Sequence, residues 1–283
     1  MRRVADPIAR VRGPDPESGN SPARPPPPRT SGQQGCDKPV RFMSSGGRVD
    51  HQGMSRDASV TDFFSSWEVY RAVIDNDCME HSLIYPLIGE ILRERTEPFT
   101  VLDLGCGDAA GTGPAMIGTA AARYVGVDSA APALEFAART LDGSGLDIDL
   151  RVQDMLDMVR TSDEQFDVII ASFALHHFHA AQKQAFLDVA RERLAPGGEV
   201  LLVDVVRRDG ETRDEYLTRY SQMVRTWPMD SDVQDRIIAH VTSFDFPEEV
   251  STVDRWAPEL GYEAIGFYRG GSDTQAGWRL ALN

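Results

Sequence analysis

The stretch Val101-Leu102-Asp103-Leu104-Gly105-Cys106-Gly107-Asp108 constrains this chain more than any other. Thr100, Val101 and Leu102 are β-branched or apolar, as in a short buried strand, and two glycines end the run. Gly105 and Gly107 allow a tight turn and a close approach of backbone to ligand. The small-residue segment from Pro114 to Ala121 is expected to begin a helix, with Pro114 in its first turn. Strand, glycine turn and helix N-terminus then form a ligand seat with unpaired N–H groups.

The loose dinucleotide pattern Gly-x-Gly-x-x-Gly/Ala is met by Gly105, Gly107 and Ala110, and alone it is weak. Asp103 opposes a dinucleotide, because a carboxylate just ahead of the turn repels a pyrophosphate. It suits a ligand with an amine and a positive sulfur. Asp128, 21 residues after Gly107, closes a second strand, Tyr124 to Val127, where an acid can grip ribose hydroxyls. Asp154 follows a third strand, Asp147 to Val152. Three acids at successive strand ends, none with a basic partner for phosphate, favour S-adenosylmethionine (SAM).

With these blocks in order, VLDLGCGDA, YVGVDS, QDM, FDVIIASFALHHF and LAPGGEVLLVDVV, the chain resembles the class I SAM-dependent methyltransferases from about Phe99 onward. The family's loop often carries a third glycine where Ala109 stands. The resemblance implies an α/β fold: a Rossmann-like, doubly wound, seven-stranded sheet with an antiparallel last strand and a helical lid. It also implies that Asp103 contacts the methionine amine, Gly105 and Gly107 the cofactor's backbone side, and Asp128 the ribose, with Cys106 and Ser129 also among the cofactor-binding residues. Asp154 and Met155 would border the adenine, with Ser172 in the same crevice.

Alternating strands and helices independently indicate a parallel sheet, with ligands at the strands' carboxyl ends. The expected elements are an apolar-faced helix through Ile84, Leu87, Ile88, Ile91 and Leu92, a helix capped by Ser129, a fourth strand from Phe166 to Ala171, a helix from Gln182 to Leu194, and a fifth strand from Glu199 to Val206. A closing helix Val253 to Leu260 and strands Glu263 to Tyr268 and Gly277 to Leu282 complete the pattern. Residues 207–246 exceed what a βα connection needs and read as a helical lid carrying Tyr216, Tyr220, Met223, Trp227 and Met229. These residues suit a small organic substrate, or serve to glue the lid to the body.

Residues 1–58 hold nine of the 17 prolines and ten Lys/Arg against six Asp/Glu. They read as a disordered tail ahead of a methyltransferase domain at 59–283, with translation from Met43 or Met54 as a further possibility. Phe63, Phe64, Trp67 and Tyr70 form an aromatic cluster read as core packing, although the resemblance allows a cover over the cofactor. Asp75, Asp77 and His81 read as a loop and helix cap, so no metal is expected.

The family's nucleic-acid adenine enzymes carry an Asn/Asp-Pro-Pro-Tyr/Phe block after the fourth strand. Here Ser172-Phe173-Ala174-Leu175-His176-His177-Phe178 stands in its place and resembles small-molecule methyltransferases. His177, then His176, are candidate general bases, with Asp204 as a second base or anchor. Pocket-wall or structural roles are open for each. Residues 59–283 carry −19 of the total −15, which argues against nucleic acid as a partner. Three unpaired cysteines suit a reducing cytoplasm, and no apolar run is long enough to span a bilayer. The expected activity is methyl transfer from SAM to an O, N or C nucleophile of a small molecule. A non-catalytic SAM-binding protein and an NAD(P)-dependent oxidoreductase are the alternatives. Oligomeric state is not indicated.

Overall fold

A computed structural model of the chain describes residues 40–44 and 67–282. The elements are β1 (Arg41–Ser44), α1 (67–75), α2 (His81–Arg93), β2 (Phe99–Leu104), α3 (Thr112–Ala115), β3 (Ala121–Asp128), α4 (Ala131–Thr140), β4 (Asp147–Val152), α5 (Met155–Thr161) and β5 (Phe166–Ser172). There follow α6 (Ala180–Glu192), β6 (Leu194–Arg207), α7 (Arg213–Val224), α8 (Ser231–Phe244), β7 (Glu248–Glu249), α9 (Ser251–Glu259), β8 (Tyr262–Arg269) and β9 (Gln275–Leu282).

The sheet order is β1-β4-β3-β2-β5-β6-β9-β8. β2 to β6 run parallel, and β9 is antiparallel to both β6 and β8. The order reverses between β2 and β5, where crevices form at the carboxyl ends of such strands. Continuous apolar runs suit strands covered on both faces. Val101, Leu102 and Leu104 of β2 and Val168, Ile169, Ile170 and Ala171 of β5 are fully buried. One core packs α5, α6 and α9 on the sheet, a second packs α2 and α4, and a third joins α7 and α8 to Val73.

The seven expected strands are present as β2 to β6, β8 and β9, and β1 and β7 make nine among the described residues. β1 lies within the stretch read as a disordered tail, yet pairs in parallel with β4. The rest of that stretch, with Phe63 and Phe64, lies outside the described residues. The helix expected after the glycine turn is only four residues, because Gly118 at φ 74 breaks the chain away. Ser129 does not cap α4: its N-cap is Ala130, and Asp128 Oδ1 accepts the Ala130 N–H instead. β6 begins at Leu194, so Pro196-Gly197-Gly198 falls inside the strand as an irregular entry with a register shift. The stretch 207–246 holds α7 and α8. Thr212 and Glu215 form a reciprocal cap on α7, satisfying two otherwise orphaned donors.

Candidate functional site

Two adjoining cavities, of about 370 and 340 Å³, open at the carboxyl ends of β2 to β5. Asp103, Gly105, Cys106, Gly107, Asp128 and Ser172 line the first, while Asp128, Ser129, Asp154 and Met155 line the second. All nine residues expected to hold a cofactor therefore border one continuous crevice. Among the described residues no Lys or Arg lines either cavity.

Gly105 has φ 71 and Gly107 φ 53, the left-handed region that favours glycine. A Cβ on Gly105 would stand 2.7 Å from the Ala174 methyl. Ala109, where the related loops often carry glycine, also takes φ 54 and keeps the turn at some local strain. Asp128 Oδ2 accepts the Gly107 N–H at 2.9 Å, tying the end of β3 to this turn. Burial pushes the Asp128 carboxyl above its usual range despite these N–H donors. Asp103 is 1% exposed, and its Oδ2 accepts from Thr112 Oγ1 at 2.6 Å and Tyr124 OH at 2.5 Å. Burial pushes its pKa up to about 6. Among the described residues neither carboxylate has a Lys or Arg within 4.0 Å, so the crevice presents uncompensated negative charge. Asp154 is more exposed and caps α5, accepting from the N–H groups of Leu156 and Asp157.

The aromatic cover was only partly legible. Trp67 stacks on Phe136 at 4.9 Å and, with Tyr70, lines the first cavity instead of the core. Tyr70 OH donates to Asp108 Oδ1 at 3.2 Å. Tyr85 lies against Gly111 and meets the Ser172 hydroxyl at 3.2 Å. Asp77 Oδ1 accepts the Ser82 N–H in the first turn of α2, whose N-cap is Glu80, but His81 stacks on Tyr85 and faces the cavity.

A third cavity, of about 610 Å³, lies between α1, α8 and the turn after β5. Its walls are mostly apolar, with Val69, Val73, Met79, Tyr220, Trp227 and Ile237 among them. Of the lid residues singled out from sequence, Tyr220 and Trp227 face it, while Tyr216, Met223 and Met229 pack in the lid core. Phe173 and His177 border all three cavities. Phe173 takes φ 53, a strained conformation for a bulky residue at the point where the cavities meet.

His176 and His177 sit on the short 3₁₀ turn Leu175–His177. His176 is buried, and its Nδ1 is 2.6 Å from Asp204 Oδ1. Burial opposes its charge, yet the attraction of Asp204 raises its pKa. Asp204 itself borders neither large cavity and stands behind His176. His177 keeps 44% of its side chain exposed, toward the cavities, and burial beside His176 pushes its pKa down to about 4. Sequence reasoning missed Asp245 and His240, which close this wall. Asp245 Oδ1 is buried without a hydrogen-bond partner, 3.9 Å from His176 Nε2 and 3.7 Å from His177 Nδ1. No local signal marks Asp245, since only the fold of α8 brings it to a turn some 70 positions earlier.

Residues 101–198 match a family model described as a methyltransferase domain. No curated protein matches. Among solved structures, an O-methyltransferase family 2 protein from Planctomyces limnophilus in complex with apigenin aligns with TM-score 0.57 and 16% identity, covering 82% of this chain and 63% of that one. An O-methyltransferase family protein from Burkholderia thailandensis aligns with TM-score 0.56 and 14% identity, over 75% and 59%. A DhpI–SAH complex aligns with TM-score 0.51 and 21% identity, over 77% and 94%. The chain thus spans less than two thirds of the first two proteins, and at these identities the likeness speaks for the fold. Residues 101–198 thus match a methyltransferase-domain model, within a fold shared with solved methyltransferase structures.

Proposed function

We propose that this protein is a SAM-dependent methyltransferase acting on a small molecule. The observation that carries the reading is a crevice lined by two carboxylates, the buried Asp103 and the partly buried Asp128, and among the described residues by no Lys or Arg. Such a seat suits a ligand with an ammonium and a sulfonium and disfavours the pyrophosphate of a nicotinamide cofactor. Asp103 would hold the amine, Gly105, Cys106 and Gly107 the backbone side, Asp128 and Ser129 the ribose, and Asp154 with Met155 the adenine end. Ser172 would border the methionine side. SAM supplies an activated methyl group, so the chain's task is to orient the nucleophile and exclude water. Phe173 and His177 stand where the crevice meets the 610 Å³ cavity. Apolar walls there support a small, largely apolar acceptor, held through an O, N or C nucleophile.

His176 and His177 form the polar end of that cavity and handle the proton of an O–H or N–H nucleophile. Asp204 acts through His176, fixing the imidazole with Nδ1 toward itself and Nε2 toward the wall. Among the described residues no helix is long and apolar enough to cross a membrane. A cytoplasmic site of action agrees with the free Cys78 and Cys106. Incubating the chain with SAM and a panel of phenols, amines and carboxylates should release S-adenosylhomocysteine with at least one. Calorimetric binding of NADH in preference to SAM would overturn the assignment. Binding of SAM without turnover across the panel would favour a non-catalytic SAM-binding role.

A further inference from the structure

We infer that His176, His177 and Asp245, with His240 beside them, form a binding site for a first-row divalent transition cation of the zinc or cobalt kind. The ligating atoms of His176, His177 and Asp245 all lie within 4.8 Å of one another. Asp245 Oδ1 is the hub: it is 3.9 Å from His176 Nε2, 3.7 Å from His177 Nδ1 and 3.9 Å from His240 Nε2. A cation with bonds of about 2.1 Å holds tetrahedral donors roughly 3.4 Å apart, so small side-chain rotations complete the set.

Three observations point to a cation here instead of a hydrogen-bonded cluster. Asp245 is 4% exposed, and Oδ1 has no hydrogen-bond partner, which is costly for a buried carboxylate. Among the described residues its carboxylate has no Lys or Arg within 4.0 Å: three imidazoles lie that near, while Arg213 and Lys183 act on it only from farther away. His176 is also set up as a ligand, because Asp204 takes Nδ1 at 2.6 Å and leaves Nε2 for the cation. His177 Nδ1 would give up its 3.3 Å contact with the Phe244 carbonyl. Imidazole-rich donors with one carboxylate select zinc-like cations over magnesium or calcium.

The cluster lines the 610 Å³ cavity, so the cation would keep a position open toward it. With the cation bound the imidazoles ligate instead of acting as bases, and an acceptor oxygen could ligate beside them, its proton made acidic enough by the charge to pass to water; this last step rests on the methyltransferase reading, while the cation site does not. The test uses the full chain, stripped with a chelator and titrated without SAM or acceptor. Co²⁺ should give a saturable visible ligand-field band at one equivalent per chain, and calorimetry should show Zn²⁺ competing for the same site. His177→Ala, at an exposed position, and Asp245→Asn should each weaken Zn²⁺ by about tenfold or more. Asp204→Asn should weaken it by about tenfold through His176. Circular dichroism of each variant without metal reports folding, and His177→Ala carries the test if Asp245→Asn does not fold. A wild-type chain that binds neither cation at millimolar concentration, or binding unchanged in His177→Ala, overturns the proposal. SAM binding measured separately keeps its failure distinct from that of the methyltransferase reading.

Discussion

Asp128 at the end of β3 holds the glycine turn after β2, accepting the Gly107 N–H at 2.9 Å. The same carboxylate accepts the Ala130 N–H at 2.8 Å, so one side chain links two strands' ends and the start of α4. Asp128→Ala should therefore do more than remove the proposed ribose partner. We expect SAM binding to disappear and stability to fall by about 2 kcal/mol, from two N–H groups left without an acceptor. Asp128→Asn keeps one acceptor oxygen but turns its NH2 toward the other N–H, so it should recover at most half of the lost stability while binding SAM weakly. Calorimetry and thermal denaturation of both variants separate the two roles; equal SAM affinity in all three chains would remove the assignment.

Asp103 carries the main pH dependence. Its folded pKa of about 6 lies above the free-carboxylate value of 3.8, because burial disfavours the charge. The stability it contributes is complete below about pH 4 and is lost as pH rises through 6, a swing on the order of 3 kcal/mol. A cationic ligand needs the ionised form, so SAM affinity should rise between pH 5 and 7, by up to tenfold per unit. Asp103→Asn should flatten both profiles, raise the melting temperature at pH 7.5 and weaken SAM. Parallel pH series of calorimetry and melting check this, and a pH-independent affinity in the wild type would contradict it.

Gly105→Ala tests the glycine turn. At φ 71 an alanine is strained, and its methyl would sit 2.7 Å from that of Ala174. A loss of about 2 kcal/mol in urea unfolding is expected, with SAM binding impaired. Gly143, also at φ 69 but with open space around it, should lose only about 1 kcal/mol on the same change and leave SAM binding alone.

Trp227→Ala separates the two halves of the site. Trp227 lines the 610 Å³ cavity but not the cofactor crevice. Once an acceptor is identified, its KM should rise about tenfold or more while SAM affinity stays within twofold. A comparable loss in both would mean that the lid also orders the crevice.

Most of the sheet and the acids that line the crevice were legible in the residues themselves. β2 and β5 are short runs covered on both faces, so their apolar continuity marks them without tertiary context. Asp103, Asp128 and Asp154 were found because strand ends in a parallel sheet converge on one edge, which makes a local pattern predict a spatial one. The failures have local causes too. The helix expected after the glycine turn shrank to one turn at Gly118, whose φ of 74 no propensity over small residues anticipates. Ser129 lost its capping role to Asp128, because the carboxylate already stood within reach of the Ala130 N–H.

The sequence by itself determined the sheet, the glycine seat and the acidic character of the crevice, since these depend on neighbours along the chain and on strand periodicity. Only the tertiary structure decided what surrounds the two histidines. Asp204 arrives from β6, His240 and Asp245 from α8 and its end, and Trp67 and Tyr70 from α1. Contacts between residues so far apart in sequence depend on how elements pack. No spacing along the chain encodes the 3.7 Å between His177 and Asp245.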